Sequence, residues 1–147
     1  MDKPNKLKEL TAPCGLYCAV CPIYQAQTDR ALAEKVAARL GLPVEDATCS
    51  GCRPQQGKVV VMGKQFCETY QCVTGRKLDF CYQCPDFPCL KLAPSADRAN
   101  EIPHNTKIYN LLLIQKKGLK HLAQEAGDLR RTYFRGKKVR PGAEPQL

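Results

Sequence analysis

The sequence predicts a small α+β fold that is mainly helical, with one short β-hairpin, irregular cysteine-bearing loops and a helical C-terminal part. Three observations predict it. Ten cysteines lie between Cys14 and Cys89, and none follows. Two stretches, Arg30 to Leu40 and Lys107 to Lys117, carry apolar residues at the period of a helix. One run, Lys58 to Met62, is valine-rich and is followed by the turn signal Gly63-Lys64.

Taken in order, residues 1 to 13 form a polar lead-in with a short apolar edge at Leu7, Leu10 and Ala12. Pro22, next to Cys21, suits the first turn of a helix. Thr28-Asp29 is an N-cap signal for a helix from Arg30 to Leu40, whose apolar face is Ala31, Leu32, Val36, Ala37 and Leu40. Gly41 closes it and Pro43 follows. Gly51 permits the tight turn of Cys49-Ser50-Gly51-Cys52. Lys58 to Met62 and Gln65 to Cys67 supply the two arms of the hairpin, which is too small to stand alone. Residues 73 to 89 read as short loops, because Pro85 and Pro88 forbid a regular helix across them. Ser95 or Asp97 starts a short turn. Pro103 opens a helix from Lys107 to Lys117 with Ile108, Leu111, Leu112 and Ile114 on its apolar face, stopped by Gly118. Leu119 to Ala126 continues helically to Gly127, and Asp128 caps a last turn carrying Tyr133 and Phe134. From Gly136 the composition is that of a disordered tail. The expected organisation is a cysteine-rich domain at 1–100, a basic helical extension at 101–135 packed on it, and a tail at 136–147.

The cysteines fall into four groups: Cys14/Cys18/Cys21, Cys49/Cys52, Cys67/Cys72 and Cys81/Cys84/Cys89. Residues 1 to 90 have little sustained apolar periodicity, so burial alone does not offset the entropy of ordering them and the segment needs staples. Disulfides are the alternative to metal. Met1 to Lys8 has no apolar signal core, so the expectation is a cytoplasmic chain with reduced thiols. No apolar run approaches about 18 residues, so no membrane span is expected. Two thiolates two residues apart can hold one ion while backbone N–H groups of the turn face the sulfurs. All ten cysteines are therefore candidate metal ligands.

Zinc is the first reading: closed, redox-inert centres that contribute folding free energy in a structural or interaction protein. The alternative is iron–sulfur clusters for electron transfer or redox sensing. The Cys21-Pro22 and Cys84-Pro85 steps suit cluster loops and zinc knuckles alike. The C-x3-C-x2-C spacing of the first group also occurs in radical S-adenosylmethionine enzymes, but their barrel needs a longer chain. Spacing leaves the connectivity open. Cys49/Cys52 can close with Cys81/Cys84, or with Cys67/Cys72. In the second case the first group pairs with members of the last. Ten thiols do not divide by four, so either two stand outside two simple sites or a binuclear centre shares ligands.

The formal net charge is +9. Ten Lys/Arg between Lys107 and Arg140 face only Glu125 and Asp128, so the basic charge is concentrated in the cysteine-free part. The stretch reads first as a solvated face, with no nucleic-acid motif beside it; binding of nucleic acid or of an acidic partner is the alternative. His104 and His121 read as ordinary surface histidines without an acidic neighbour. No Cys/His/Asp spacing supports a catalytic thiol, so a binding protein is expected rather than an enzyme. Tyr17, Tyr24, Tyr70, Tyr82 and Phe87 flank the cysteines and suit shielding them from water.

Four motifs occur in one order: Ala12-Pro13-Cys14-Gly15-Leu16-Tyr17-Cys18-Ala19-Val20-Cys21-Pro22; Cys49-Ser50-Gly51-Cys52-Arg53; Cys67-x4-Cys72; and Cys81-Tyr82-Gln83-Cys84-Pro85-Asp86-Phe87-Pro88-Cys89. On these, the first 92 residues resemble an uncharacterised family of cysteine-rich bacterial and archaeal proteins, domain of unknown function 3795. The resemblance implies metal binding through these cysteines and gives no substrate.

Overall fold

In the computed structural model, residues 4–59, 63, 65–94, 96, 99–136, 142 and 144 are described. Helix α1 (Pro4–Glu9) buries Leu7 and leads into the first cysteine loop. A 3-10 turn, Cys18–Val20, precedes α2 (Pro22–Gln25), where Pro22 takes the first helical position. Helix α3 (Arg30–Leu40) starts where the Asp29 carboxylate accepts from the Leu32 N–H at 3.0 Å, and ends at Gly41 with φ +66. This is an N-cap and a left-handed C-terminal stop. Its buried residues are Ala33, Val36 and Ala37, so Ala33 and not Ala31 lies on the inner face.

The chain is mainly helical, and the short β-hairpin expected over residues 58–67 is a correction: no β-strand or sheet forms among the described residues. The one extended pairing among the described residues is the isolated bridge of Thr11 with Tyr17. Residues 60–62 and 64 lie outside the described residues. Gly57 (φ +80) turns the chain, and its C=O accepts from the Cys67 N–H at 3.1 Å. That single closure hands the chain to a helix rather than to a return strand. A two-stranded ribbon with no further strand to pair with is marginal in water. Helix α4 (Glu68–Gly75) follows, in a region read as loop from about residue 73, and buries Thr69 and Val73 one turn apart. A 3-10 turn at Cys81–Gln83 and another at Leu90–Leu92 carry the last cysteine group.

Helix α5 (Lys107–Lys117) ends at Gly118, as the spacing predicts, but buries Leu113 rather than Leu112 beside Leu111 and Ile114. Helix α6 runs from Leu119 to Arg135 straight through Gly127. Its buried residues Leu122, Ala126 and Leu129 keep the period across the glycine. One glycine costs about 1 kcal/mol in a helix, less than that buried stripe returns.

Two cores result. One joins Leu111, Ile114, Leu122 and Ala126 to Ala12, Cys14, Val73, Phe80, Cys81 and Leu92. The smaller one joins Ala26 and Ala47 to Ala33, Val36 and Ala37. The cysteine loops are thus seated on α5 and α6. Leu111 is fully buried at their junction. Leu111→Ala should cost about 2–5 kcal/mol, measured as a shift in denaturant midpoint at unchanged slope. The turns expected at Ser95 or Asp97 fall outside the described residues, as does most of the tail expected to be disordered.

Candidate metal centre

Three backbone and side-chain links fold the four cysteine groups onto one another. Gly15 (φ +89) sits against α5: an added Cβ would lie 3.0 Å from Leu111 Cγ and 3.1 Å from the Lys107 C=O. The Asn110 side-chain amide donates to the Gly15 C=O at 2.9 Å. This close approach fixes the Cys14–Cys18 loop, and only glycine allows it. The Cys81 N–H donates to the Pro13 C=O at 3.0 Å, placing the last group beside the first. Gly57 joins the second and third groups, because its N–H donates to the Cys52 C=O at 2.8 Å and its C=O accepts from Cys67. An added Cβ there would meet the Tyr70 ring at 2.8 Å.

Arg53 locks this arrangement. Its Nε donates to the C=O groups of Lys8 (2.8 Å) and Thr11 (2.9 Å), and its Nη2 donates to the Asp79 C=O at 2.7 Å. The guanidinium also lies over the Phe80 ring, 4.9 Å from its centre. One half-buried side chain therefore ties the end of α1, the Cys49/Cys52 turn and the approach to Cys81. Burial lowers its pKa, partly offset by Asp79 nearby. Gln83 Oε1 accepts from the N–H groups of Asp79 (2.8 Å) and Phe80 (2.9 Å), which shapes the Cys81 turn.

The cysteines gather in two neighbourhoods. In the outer one, Cys72 from α4, Cys81 and Cys84 from the 3-10 turn and its end, and Cys89 line one cavity of about 30 Å³. Arg76 Nη1 donates to Cys84 Sγ at 2.9 Å and to Asp86 Oδ2 at 2.9 Å. Asp86, then Cys84 and Cys72, raise the Arg76 pKa. Burial pushes the Cys81 thiol up to about 12, helped by Cys14, Cys89, Cys72 and Cys84.

The other six lie on the inner side, with Cys14 near Cys81 of the outer group as well. Cys18 is pushed up to about 11, first by burial and then by Cys21, Cys49 and Cys14, while an N–H bond from Cys52 opposes the shift. Cys52 is raised further by burial and by Cys14, Cys18, Cys49 and Cys67. Cys14 is raised by burial, with Cys67 adding and Lys107 opposing. The Gly51 N–H points at Cys49 Sγ, 3.4 Å away, and Cys49 Sγ donates to Gln55 Oε1 at 2.9 Å.

Cys49 and Cys52 lie near Cys18, Cys52 also lies near Cys67, and Cys72 lines the same cavity as Cys81, Cys84 and Cys89. The helical turns of α4 separate Cys67, at the N-cap, from Cys72. None of the ten cysteines is in a disulfide. Among the described residues, no three His, Cys, Asp or Glu side chains converge closely enough to grip an ion as they stand. The donor set nevertheless fits a thiolate-bound cation. Burial penalises bare thiolates here, a dication offsets that penalty, and N–H and guanidinium donors already face the sulfurs.

Both histidines belong to the C-terminal helical part. His104 lies in the 3-10 turn Pro103–Thr106. His121 does have an acidic partner, contrary to expectation: its Nε2 is 2.7 Å from Glu125 Oε1, one helical turn on. No helix among the described residues is long and apolar enough to cross a membrane.

The family model described as protein of unknown function (DUF3795) matches residues 10–94, the segment that carries all ten cysteines. The chain belongs to the DUF3795 family. The match begins at Leu10 and ends just past Leu92, so the member-defining part is the cysteine loops with α2 to α4, and α5 and α6 lie beyond it. No curated protein and no solved structure is significantly similar to the chain.

Proposed function

We propose that this DUF3795 protein binds metal through its cysteine thiolates, as structural zinc centres in a protein of structural or interaction type. The observation that carries the reading is the outer cavity. Four cysteines from α4, the 3-10 turn and the following loop line one cavity, with a guanidinium on one of the sulfurs. Four thiolates around one dication are the donor set of structural zinc, and the ion would supply folding free energy and no redox chemistry. Arg76 would hold Cys84 in place and offset the net negative charge of such a centre. Ten exposed-or-buried thiols stay reduced in the cytoplasm, which is the compartment proposed. No catalytic role is assigned, and the partner would be another protein.

The second reading is an iron–sulfur protein in electron transfer or redox sensing, favoured by the Cys21-Pro22 and Cys84-Pro85 steps and by N–H donors on the sulfurs. Anaerobic purification under reducing conditions followed by metal analysis separates the two. Zinc in a colourless protein is expected. A brown protein absorbing near ~400 nm and containing iron and sulfide supports the second reading. A metal-free folded protein overturns both.

Arg76→Ala should leave the number of ions unchanged in excess zinc and weaken the most labile one by about 10-fold or more, the usual effect of losing an outer partner of a ligand. Competition with a chromophoric chelator measures it.

A further inference from the structure

Helix α6 turns to solvent a face that neither core nor the cysteine loops use. Its buried residues Leu122, Ala126 and Leu129 lie along one side. Lys120, Gln124, Gly127, Arg131 and Arg135 recur at helical spacing and are all exposed, so they form one stripe on the other side. At the rise of an α-helix the stripe is about 22 Å long. Lys116 and Lys117, exposed at the end of α5, stand just before its start. Lys116, Lys117, Lys120 and Arg135 form no ion pair among the described residues. Of the two acids in α6, Glu125 lies against His121 and Asp128 pairs with Arg131.

Two observations bear on what such a stripe takes. The first is a flat platform at its C-terminal end. Phe134 is half-buried there, with the Arg130 guanidinium over its ring, 4.9 Å from the centre. Tyr133 meets the same ring edge-on, with centres 4.9 Å apart. Rings and guanidinium planes stack on unpaired bases while neighbouring cations take the phosphates. A run of carboxylates pairs with the cations and leaves the planar groups unused. The second observation is Gly127 in the middle of the stripe. An added Cβ there would meet nothing within 4 Å, so packing does not call for glycine, although glycine weakens a helix interior. The missing side chain lets a ligand approach the helix backbone between Lys120 and Arg131.

We infer that the exposed face of α6 binds single-stranded nucleic acid, with phosphates on Lys120, Arg131 and Arg135 and a base on the Phe134–Arg130 stack. The surface lies beyond residues 10–94, the part that defines the family. The inference does not rest on the metal reading, and it adds a second kind of partner to the protein partner proposed above.

The test is fluorescence anisotropy of a dye-labelled single strand of mixed sequence, titrated with the full reduced chain at several salt concentrations. A Kd on the order of 1–100 µM is expected at low salt, with log K falling by about 0.7 for each phosphate neutralised, or about 2 per tenfold rise in salt for three phosphates. Lys120→Gln combined with Arg135→Gln should make that slope shallower by about 1.4. Phe134→Leu, which keeps apolar bulk and removes the aromatic face, should weaken binding by about 10-fold. Gly127→Gln should weaken binding at unchanged slope, with far-UV helicity held or raised. Failure to bind the single strand at low salt overturns the inference. So does binding of polyglutamate or of a duplex as tight as that of the single strand, with Phe134→Leu and Gly127→Gln behaving like the parent chain; polyglutamate in that role marks the face as a surface for an acidic protein.

Discussion

Stripping metal from the reduced chain is expected to unfold residues 12 to 92 and to leave α5 and α6 partly helical. Between Ala12 and Leu92 the buried hydrophobic residues are small or few: Ala12, Ala26, Ala33, Val36, Ala37, Ala47, Val59, Val73, Phe80 and Leu92, with Cys14 and Cys81. That area does not offset about 1–2 kcal/mol of backbone entropy per residue over eighty residues. A structural zinc ion contributes on the order of 10–16 kcal/mol of binding free energy, which is folding free energy when the site does not pre-exist. Helices α5 and α6 differ. They bury Leu111, Leu113, Ile114, Leu122, Ala126 and Leu129, partly against each other. Chelation at neutral pH with a reductant present should therefore abolish the near-UV signal of Tyr17, Tyr24, Tyr70 and Tyr82, with a smaller loss of far-UV helicity. Unchanged thermal stability after complete chelation would contradict the prediction.

Arg53→Leu should be the most damaging substitution outside the cysteines, lowering stability by about 3 kcal/mol or more. Three C=O groups lose a charged donor, each such bond being worth about 1.5–3 kcal/mol, and the stacking on Phe80 changes as well. Arg53→Lys should recover little. One ammonium cannot serve Lys8 and Thr11 on one side and Asp79 on the other, which the planar guanidinium does. For a chain of this size the fall in Tm is roughly 10 °C. A metal-loaded Arg53→Lys protein as stable as the parent would show that the ions alone hold the loops together.

How much of this was legible in the sequence depended on the range of the interaction. Helix α3 was readable because its signals are local: Asp29 caps it, Gly41 ends it, and both do so in the structure. Helix α5 was readable to its last residue for the same reason. Gly127 misled, because a glycine is a local stop signal and what carries α6 across it is tertiary burial of Leu122, Ala126 and Leu129. The valine-rich run after Lys58 misled in the same way, since strand propensity needs a sheet to join and none forms among the described residues. Helix α4 was missed because it is short and polar; Thr69 and Val73, one turn apart, were its faint signal.

The ten candidate ligands were legible from spacing, and their grouping was not. Grouping is set by long-range links through Gly57, Arg53 and the Pro13–Cys81 hydrogen bond. No periodicity encodes these. Arg53 stood next to Cys52 in a quoted motif, yet nothing local marked it as the residue that joins three segments. The basic stretch was legible as charge.

X-ray absorption at the zinc edge of the intact, reduced protein tests the central claim most directly. The account predicts an all-sulfur first shell of four atoms at about 2.3 Å around every ion. A shell containing nitrogen or oxygen at about 2.0 Å, or a folded protein with no tightly bound metal to measure, would contradict it.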